Sequence, residues 1–349
     1  MNYCTLFDSN YSDKGIVMID SLINVDAEAK VYVLCMDEKC KTILDDWYQT
    51  NVTTISLDEF EDEDLLGVKN QRSKGEYCWT CTGKLIKHVI IKYNCDVCTY
   101  VDSDLFFYSS PQVLLNEMVE ADCSVQIIPH RFPPTFSGRY QEKSSGKNCV
   151  QFNTFSSSTE SMKLLDQWIA QCLDECSVNS SGDQKYTSEW GDYSFVNVSQ
   201  NKGAGIAPWN LTRFEYLNNH SIYDRYDKEQ WDIVFYHFQN ITYIDANTVQ
   251  IMPKVQYWII DDQLLNFFYK NYLVKIEEVK KILKKHYGLS PMIKEYIADK
   301  EKKHKTIFEK IKYAIHSSPV ILFLKIDSLI RYKIRKKNTY IKLDKLIKG

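Results

Sequence analysis

The sequence predicts an α/β domain with a largely parallel sheet, followed by a basic helical extension. Through the first 110 residues, short β-rich runs alternate with helical patterns, the order that builds such a sheet. Beyond about residue 260 the texture changes to long Lys-rich helical stretches broken by Pro291 and Pro319. Charge divides at nearly the same place. Residues 270–349 hold 22 Lys and Arg against 8 Asp and Glu, a net of +14, and the rest of the chain has a net of −17, together the −3 of the whole. We therefore divide the chain into an acidic body, 1–260, and a basic appendage with its own partner, 261–349.

The elements follow in order. YCTLF at 3–7 is a strand and KGIVMIDSLI at 14–23 an amphipathic helix; VYVLCM at 31–36 is a second strand, with a helix near KCKTILDDWY. VTTISL at 52–57 is a third strand, EYCWTCTGKLIKHVIIKY at 76–93 a helix, and VCTYV at 97–101 a buried strand. CSVQIIPH and VQFNTF are strand-like, SMKLLDQWIAQCLDEC at 161–176 has apolar residues at helical spacing, and DIVFYHFQNITYI at 232–244 closes the body. No run of about eighteen apolar residues occurs, so no spanning helix is expected. MNYCTLFDSN has no basic n-region, and eleven cysteines is an odd count, which favours reduced thiols in a cytosol over a disulfide framework. The glycosylation triplets at Asn51, Asn197 and Asn210 are then chance matches.

The stretch NCDVCTYVDSDLFFYSS at 94–110 carries two metal-binding patterns. Cys78, Cys81, Cys95 and Cys98 have a four-cysteine zinc spacing. Against zinc, Cys95 and Cys98 would face opposite sides of a strand, no Gly or Pro makes a knuckle, and cysteine packs readily as a small hydrophobe. Asp102 and Asp104 end a buried strand, at the sheet edge where open α/β folds bind ligands. Two such acids raise each other's pKa unless a cation neutralises them, and Mg²⁺ or Mn²⁺ suits their oxygens. Two solvated loop acids are the plainer alternative.

Ordered blocks surround this pair: CTLFDSNYSDKGIVMIDSL, EYCWTCT at 76–82, YVDSDLFFY, IIPHRF, VQFNTF, GDQKY at 182–186, APWN at 207–210 and FYHFQ. In that order they resemble the GT-A glycosyltransferases, the nucleotide-diphospho-sugar transferases related to glycosyltransferase family eight, of the bacterial surface-polysaccharide type. The resemblance covers about 3–244. It implies a GT-A (Rossmann-like) mixed sheet with flanking helices and a metal, Mn²⁺ or Mg²⁺, held by Asp102, Asp104 and His237. It implies donor contacts at Thr5, Phe7, Asn10, Tyr11, Lys84, Asp102, Ser103 and Asp104, with Thr5, Asn10 and Tyr11 by the base and ribose. Asp183 and Gln184 would be the catalytic pair, facing the anomeric centre and the acceptor, with Gln151, Trp209 and Asn210 on the acceptor side. Plainer roles stand beside these: His237 as a core histidine, Lys84 as a solvated helix residue, Asp183 as a helix N-cap. The chain departs from the pattern after His237, where HFQNITYI lacks the family's Gly and Lys, and at Cys149, where Asn is expected.

The implied function is transfer of a sugar from a nucleotide diphosphate, UDP favoured, to a glycan or lipid-linked acceptor in surface-polysaccharide or lipopolysaccharide synthesis. Retention is implied, though an inverting route would need only one acid as base. Two rivals are a metal-dependent nucleotidyltransferase, and a zinc or nucleic-acid module built on the cysteines and basic tail; on the favoured reading no nucleic acid partner is expected. VILFLKIDSLIRYKIRKK at 320–337 mixes an apolar face with basic residues. It would hold a cytoplasmic enzyme peripherally at the anionic inner membrane face, or else cap the body with solvated helices.

Overall fold

The computed structural model describes residues 1–218, 220–251, 262–290 and 340–344. Its first half alternates as the sequence predicts: β1 (Asn2–Phe7), α1 (Ser12–Val25), β2 (Lys30–Cys35), α2 (Glu38–Trp47), β3 (Val52–Ser56), the short α3 (Leu57–Phe60) and α4 (Glu63–Lys69), α5 (Lys74–Lys92) and β4 (Val97–Val101). Then come β5 (Leu105–Phe107), α6 (Gln112–Glu120), β6 (Val125–Pro129), α7 (Phe136–Ser145), β7 (Asn148–Ser156), α8 (Thr159–Asp174) and β8 (Val196–Val198). The seven-stranded sheet runs β3-β2-β1-β4-β7-β6-β8. β3, β2, β1 and β4 are parallel, β7 is antiparallel to both its neighbours, and β8 is parallel to β6. The sheet is mixed: its first half is parallel, and β7 breaks the run.

Strand alternation sorts side chains into two cores. Tyr3, Phe7, Val31, Val33, Val101 and Phe152 enter the core under α1. Cys4, Leu6, Tyr32, Leu34, Cys98, Tyr100 and Phe155 enter the opposite one, under α5 and α8. α5 starts at a capping box, in which Ser73 and Glu76 each satisfy the other's backbone N–H. It buries Tyr77, Cys81, Leu85, Ile86, Val89 and Ile90 at helical spacing.

Smaller units close the first core: the meander β9 (Phe214–Asn218), β10 (Ser221–Asp224) and β11 (Gln230–Asp232), then β12 (Phe235–His237), β13 (Thr242–Asp245) and β14 (Thr248–Gln250). α9 (Asp262–Tyr287) lies along α1 and buries Phe268, Tyr269, Tyr272, Leu273, Ile276, Val279 and Leu283 in that core. A helix assigned by charge to the basic extension thus shares the body's core. Most of its lysines lie on the other face, because the apolar positions recur every three to four residues, whereas Lys280 turns in to pair with Glu277 over the Tyr243 ring. β15 (Tyr340–Lys342) pairs with β14. The membrane-facing stretch expected at 320–337 lies outside the described residues. Among the described residues no helix is long and apolar enough to cross a membrane.

Candidate metal and donor site

Backbone pairing assembles the site. Beyond β4, the Asp102 N–H donates to the Gln151 carbonyl at 3.0 Å, which extends the β4–β7 ladder past Val101. β5 begins directly after Asp104 and pairs antiparallel with β12, so His237 stands opposite Leu105. The Phe238 N–H donates to the Asp104 carbonyl at 2.9 Å and the His237 N–H to the Ile206 carbonyl at 2.8 Å. α9 pins the strand from behind: the Tyr236 and Tyr269 hydroxyls are 3.0 Å apart, and Phe238 stacks on Tyr272 with ring centroids 3.7 Å apart.

The side chains converge accordingly. His237 Nε2 lies 3.0 Å from Asp104 Oδ1 and 3.7 Å from Asp102 Oδ2, and one ligand atom from each residue falls within 4.8 Å of the others. His237 Nδ1 is 2.8 Å from Gln151 Oε1. An amide oxygen only accepts, so Nδ1 carries the proton and Nε2 is the nitrogen turned toward the carboxylates. Burial raises the Asp102 carboxyl to about 6, against the pull of His237. Burial also acts to raise Asp104, but His237 beside it and the nearby Lys14 charge bring it below the usual carboxylate range. Burial alone would depress His237; Asp104 outweighs it and holds the imidazole well above its ordinary value. Nε2 therefore carries a proton that a cation would displace.

Two carboxylates and one imidazole, gathered at a sheet edge, are an oxygen-rich set with room for further ligands. The donor set fits a hard divalent cation. Among the described residues it is the only such group of three. Gln151→Leu keeps the volume but frees the ring; Mn²⁺ affinity measured by calorimetry is expected to fall about 10- to 100-fold.

The other expected site residues divide by what holds them. Thr5 and Phe7 are buried on the α1 side of β1, and the Thr5 hydroxyl has no partner. Asn10 and Tyr11 sit on the exposed turn Ser9–Tyr11 that follows; Asn10 donates to Asp8 at 3.1 Å. Ser103 lies in the turn between the two aspartates. Lys84 is ion-paired to Asp62, and its ammonium lies 5.8 Å from the centre of the Phe60 ring. Trp209 packs edge-on to His237 with centroids 5.2 Å apart, while its indole N–H donates to the His130 carbonyl at 2.9 Å. Asn210 is spent on the backbone, donating to the His130 and Gly205 carbonyls at 2.8 Å and accepting from the Ala207 N–H at 2.9 Å. It shapes the loop.

Asp183 and Gln184 lie in a 3-10 segment, Gly182–Asp192. Ser181, not Asp183, holds the N-cap position, so the capping role fails. Burial pushes the Asp183 carboxyl well above the usual carboxylate range, against a hydrogen bond from Thr82. Its main-chain oxygen accepts from the Trp168 indole at 3.0 Å. Gly182 just before it has φ +59°, and a Cβ there would lie 2.7 Å from the Trp79 ring, so the approach requires glycine. Gln184 Nε2 donates to the Ser145 carbonyl at 2.7 Å and ties α7 to this segment.

The cysteines pack. Cys95 precedes β4 rather than lying on it, so the opposite-faces argument does not apply: Cys81, Cys95 and Cys98 all enter the second core. All eleven thiols are free. Sequence reasoning passed over Asn153, fully buried on β7 opposite Tyr100. Both its amide atoms, and Gln151 Nε2, are buried without a partner. Polar residues at alternate positions of an otherwise apolar strand, Gln151 and Asn153 in VQFNTF, were the available signal.

No protein-family profile matches the chain. It is 27% identical over 284 residues to the uncharacterized protein YfnD of Bacillus subtilis (strain 168), spanning 79% of this chain and 88% of that one. With the uncharacterized protein YfnF of the same organism the identity is 26% over 262 residues, 71% of this chain and 84% of the other. Among solved structures it is similar to the galactosyltransferase LgtC in complex with donor and acceptor sugar analogs, with TM-score 0.49, 13% identity, 80% of this chain and 96% of that one. It is similar also to mouse xyloside xylosyltransferase 1, with TM-score 0.44, 12% identity, 69% of this chain and 98% of the other.

Proposed function

We propose that the chain is a metal-dependent glycosyltransferase that moves a sugar from a nucleotide diphosphate, UDP favoured, to a glycan or lipid-linked acceptor. The observation that carries this is the convergence of Asp102, Asp104 and His237 at the end of β4, with Gln151 orienting the imidazole. It sits within the ordered sequence blocks that resemble GT-A enzymes. A bound Mn²⁺ or Mg²⁺ would supply charge neutralisation for the departing diphosphate.

The chain's own residues do the rest. In transfer, the bond from the anomeric carbon to the phosphate oxygen breaks with its electron pair staying on that oxygen. The acceptor hydroxyl oxygen forms the new bond, and its proton passes to the departing phosphate. Tyr11 is exposed beside the site and offers a stacking face for a nucleobase. Asn153 and Gln151 Nε2 supply unpaired amide groups for sugar hydroxyls, which a buried amide needs to avoid a penalty of about 1–3 kcal/mol. Asp183, its carboxyl raised by burial, stands at the anomeric side as the candidate proton carrier. Retention, a hexosyl donor, a surface-polysaccharide or lipopolysaccharide acceptor, and cytoplasmic placement with the basic extension on the inner membrane face complete the proposal.

A panel of UDP- and GDP-sugars with Mn²⁺, scored for donor hydrolysis, tests it. Slow release of a nucleoside diphosphate, abolished by chelation, is expected. Release of pyrophosphate from a nucleoside triphosphate instead would establish the nucleotidyltransferase alternative.

A further inference from the structure

A departing nucleoside diphosphate needs positive charge on its terminal phosphate, and the segment after His237, HFQNITYI, offers no Lys or Arg. Lys84 is held by Asp62, and Arg131 donates to the Ala204 and Ser199 carbonyls at 2.6 and 2.8 Å. Lys14 differs from both. It is only 8% exposed, the one lysine among the described residues that the fold buries to this degree. Its side chain makes no ion pair among the described residues; its ammonium lies 4.1 Å from the centre of the Tyr11 ring. Burying a cation is costly unless an anion meets it; the carboxylates whose charge reaches Lys14 are Asp13 and Asp104, the latter already paired with His237, and one aromatic face offsets only part of the remaining cost.

Topology puts this charge at the site. β1 runs parallel beside β4, with Tyr3 opposite Thr99 and Cys4 opposite Tyr100, so the C-terminal ends of both strands point to the same edge. Gly15 of α1 sits directly on the Phe7 ring, so the first turn of the helix covers the edge where the aspartates emerge. Further along, the Phe107 N–H donates to the Ser21 hydroxyl at 3.1 Å. α1 and β5 both lead away from that edge, side by side. Stepping back from Ser21 to Lys14 along the helix, and from Phe107 to Asp104 along the strand, covers about 10 Å in each case. Lys14 therefore stands level with Asp104.

We propose that Lys14 holds the terminal phosphate of the leaving nucleoside diphosphate. The inference rests on the glycosyl-transfer reading. When the bond from the anomeric carbon to the phosphate oxygen breaks, the electron pair stays on that oxygen. Lys14 donates a hydrogen bond to the phosphate and keeps its proton, while the proton of the acceptor or water passes to the departing phosphate oxygen. Tyr11 then joins two tasks, carrying a base on its exposed side and orienting the ammonium.

The test uses the full chain with Mn²⁺ and three probes in calorimetry: inorganic pyrophosphate, UDP and uridine. Lys14→Met is expected to weaken pyrophosphate and UDP binding about 10-fold or more and leave uridine unchanged. Lys14→Arg should restore most of the pyrophosphate affinity. Melting curves identify any variant that fails to fold, in which case Lys14→Gln takes its place. Unchanged pyrophosphate affinity in a folded variant, with wild-type donor hydrolysis intact, would overturn the inference and leave the transferase reading standing. If the wild type binds neither pyrophosphate nor UDP and hydrolyses no donor, both fall.

Discussion

Asp102→Asn should reduce metal-dependent release of nucleoside diphosphate by about a thousandfold while the protein melts where the wild type does. Two features separate these outcomes. The Asp102 side chain is 29% exposed, and its side-chain partners are His237 Nε2 at 3.7 Å and the Tyr100 hydroxyl, 3.1 Å away, to which an Asn oxygen can still bond. The Asp102 N–H that prolongs the β4–β7 ladder belongs to the backbone and survives the change. What disappears is one negative charge of two. The remaining pair, Asp104 and His237, neutralise each other at 3.0 Å and attract a cation weakly. Turnover by gel-filtered Asp102→Asn at wild-type rate, in saturating Mn²⁺, would remove the metal assignment.

The largest effect on stability is expected at Trp168. It is fully buried, stacks on Phe155 at 6.2 Å, meets Trp190 edge-on at 5.0 Å and lies against Gly83. Trp168→Ala leaves a cavity that α5 and α8 cannot close, for a loss of about 3–5 kcal/mol in denaturant unfolding. Trp168→Phe divides packing from positioning. Most of the ring remains, but the indole N–H that holds the Asp183 carbonyl at 3.0 Å is lost, for about 1 kcal/mol. Donor hydrolysis should then fall by more than that small loss of stability explains, because Asp183 is no longer fixed. Equal turnover of Trp168→Phe and wild type would make Trp168 a packing residue alone.

Much of this was legible because the sheet's first half obeys local rules. The alternation of β1, β2 and β4 is visible in YCTLF, VYVLCM and VCTYV, and the aspartates follow the last of these directly. His237 could be proposed from its block and its order in the chain. Roles set by distant partners could not. Gln151 is an ordinary polar residue until the ladder brings it to His237, and Asn210 resembles a substrate contact until both ends of its amide are seen bound to backbone. Charge alone did not reveal the packing of α9: its lysines suggested an appendage, and its buried Phe268, Tyr269 and Tyr272 pack in the first core, where Phe268 stacks on Tyr236 and Tyr272 on Phe238. CxxC spacing misdirected in another way, since four cysteines at zinc intervals are scattered through one core rather than gathered at a point.

The pairing of β5 with β12 also has a bearing on biosynthesis. Asp102 and Asp104 leave the ribosome early, but the strand that completes their cluster is made only after the whole sheet has been translated, and the helix that clamps that strand comes later still. A nascent chain can build its parallel layer while it has no means of gripping a cation. The candidate cluster is thus completed only late in synthesis, once β12 and α9 have been made, and a chain truncated before α9 is expected to bind Mn²⁺ poorly however well its sheet has formed.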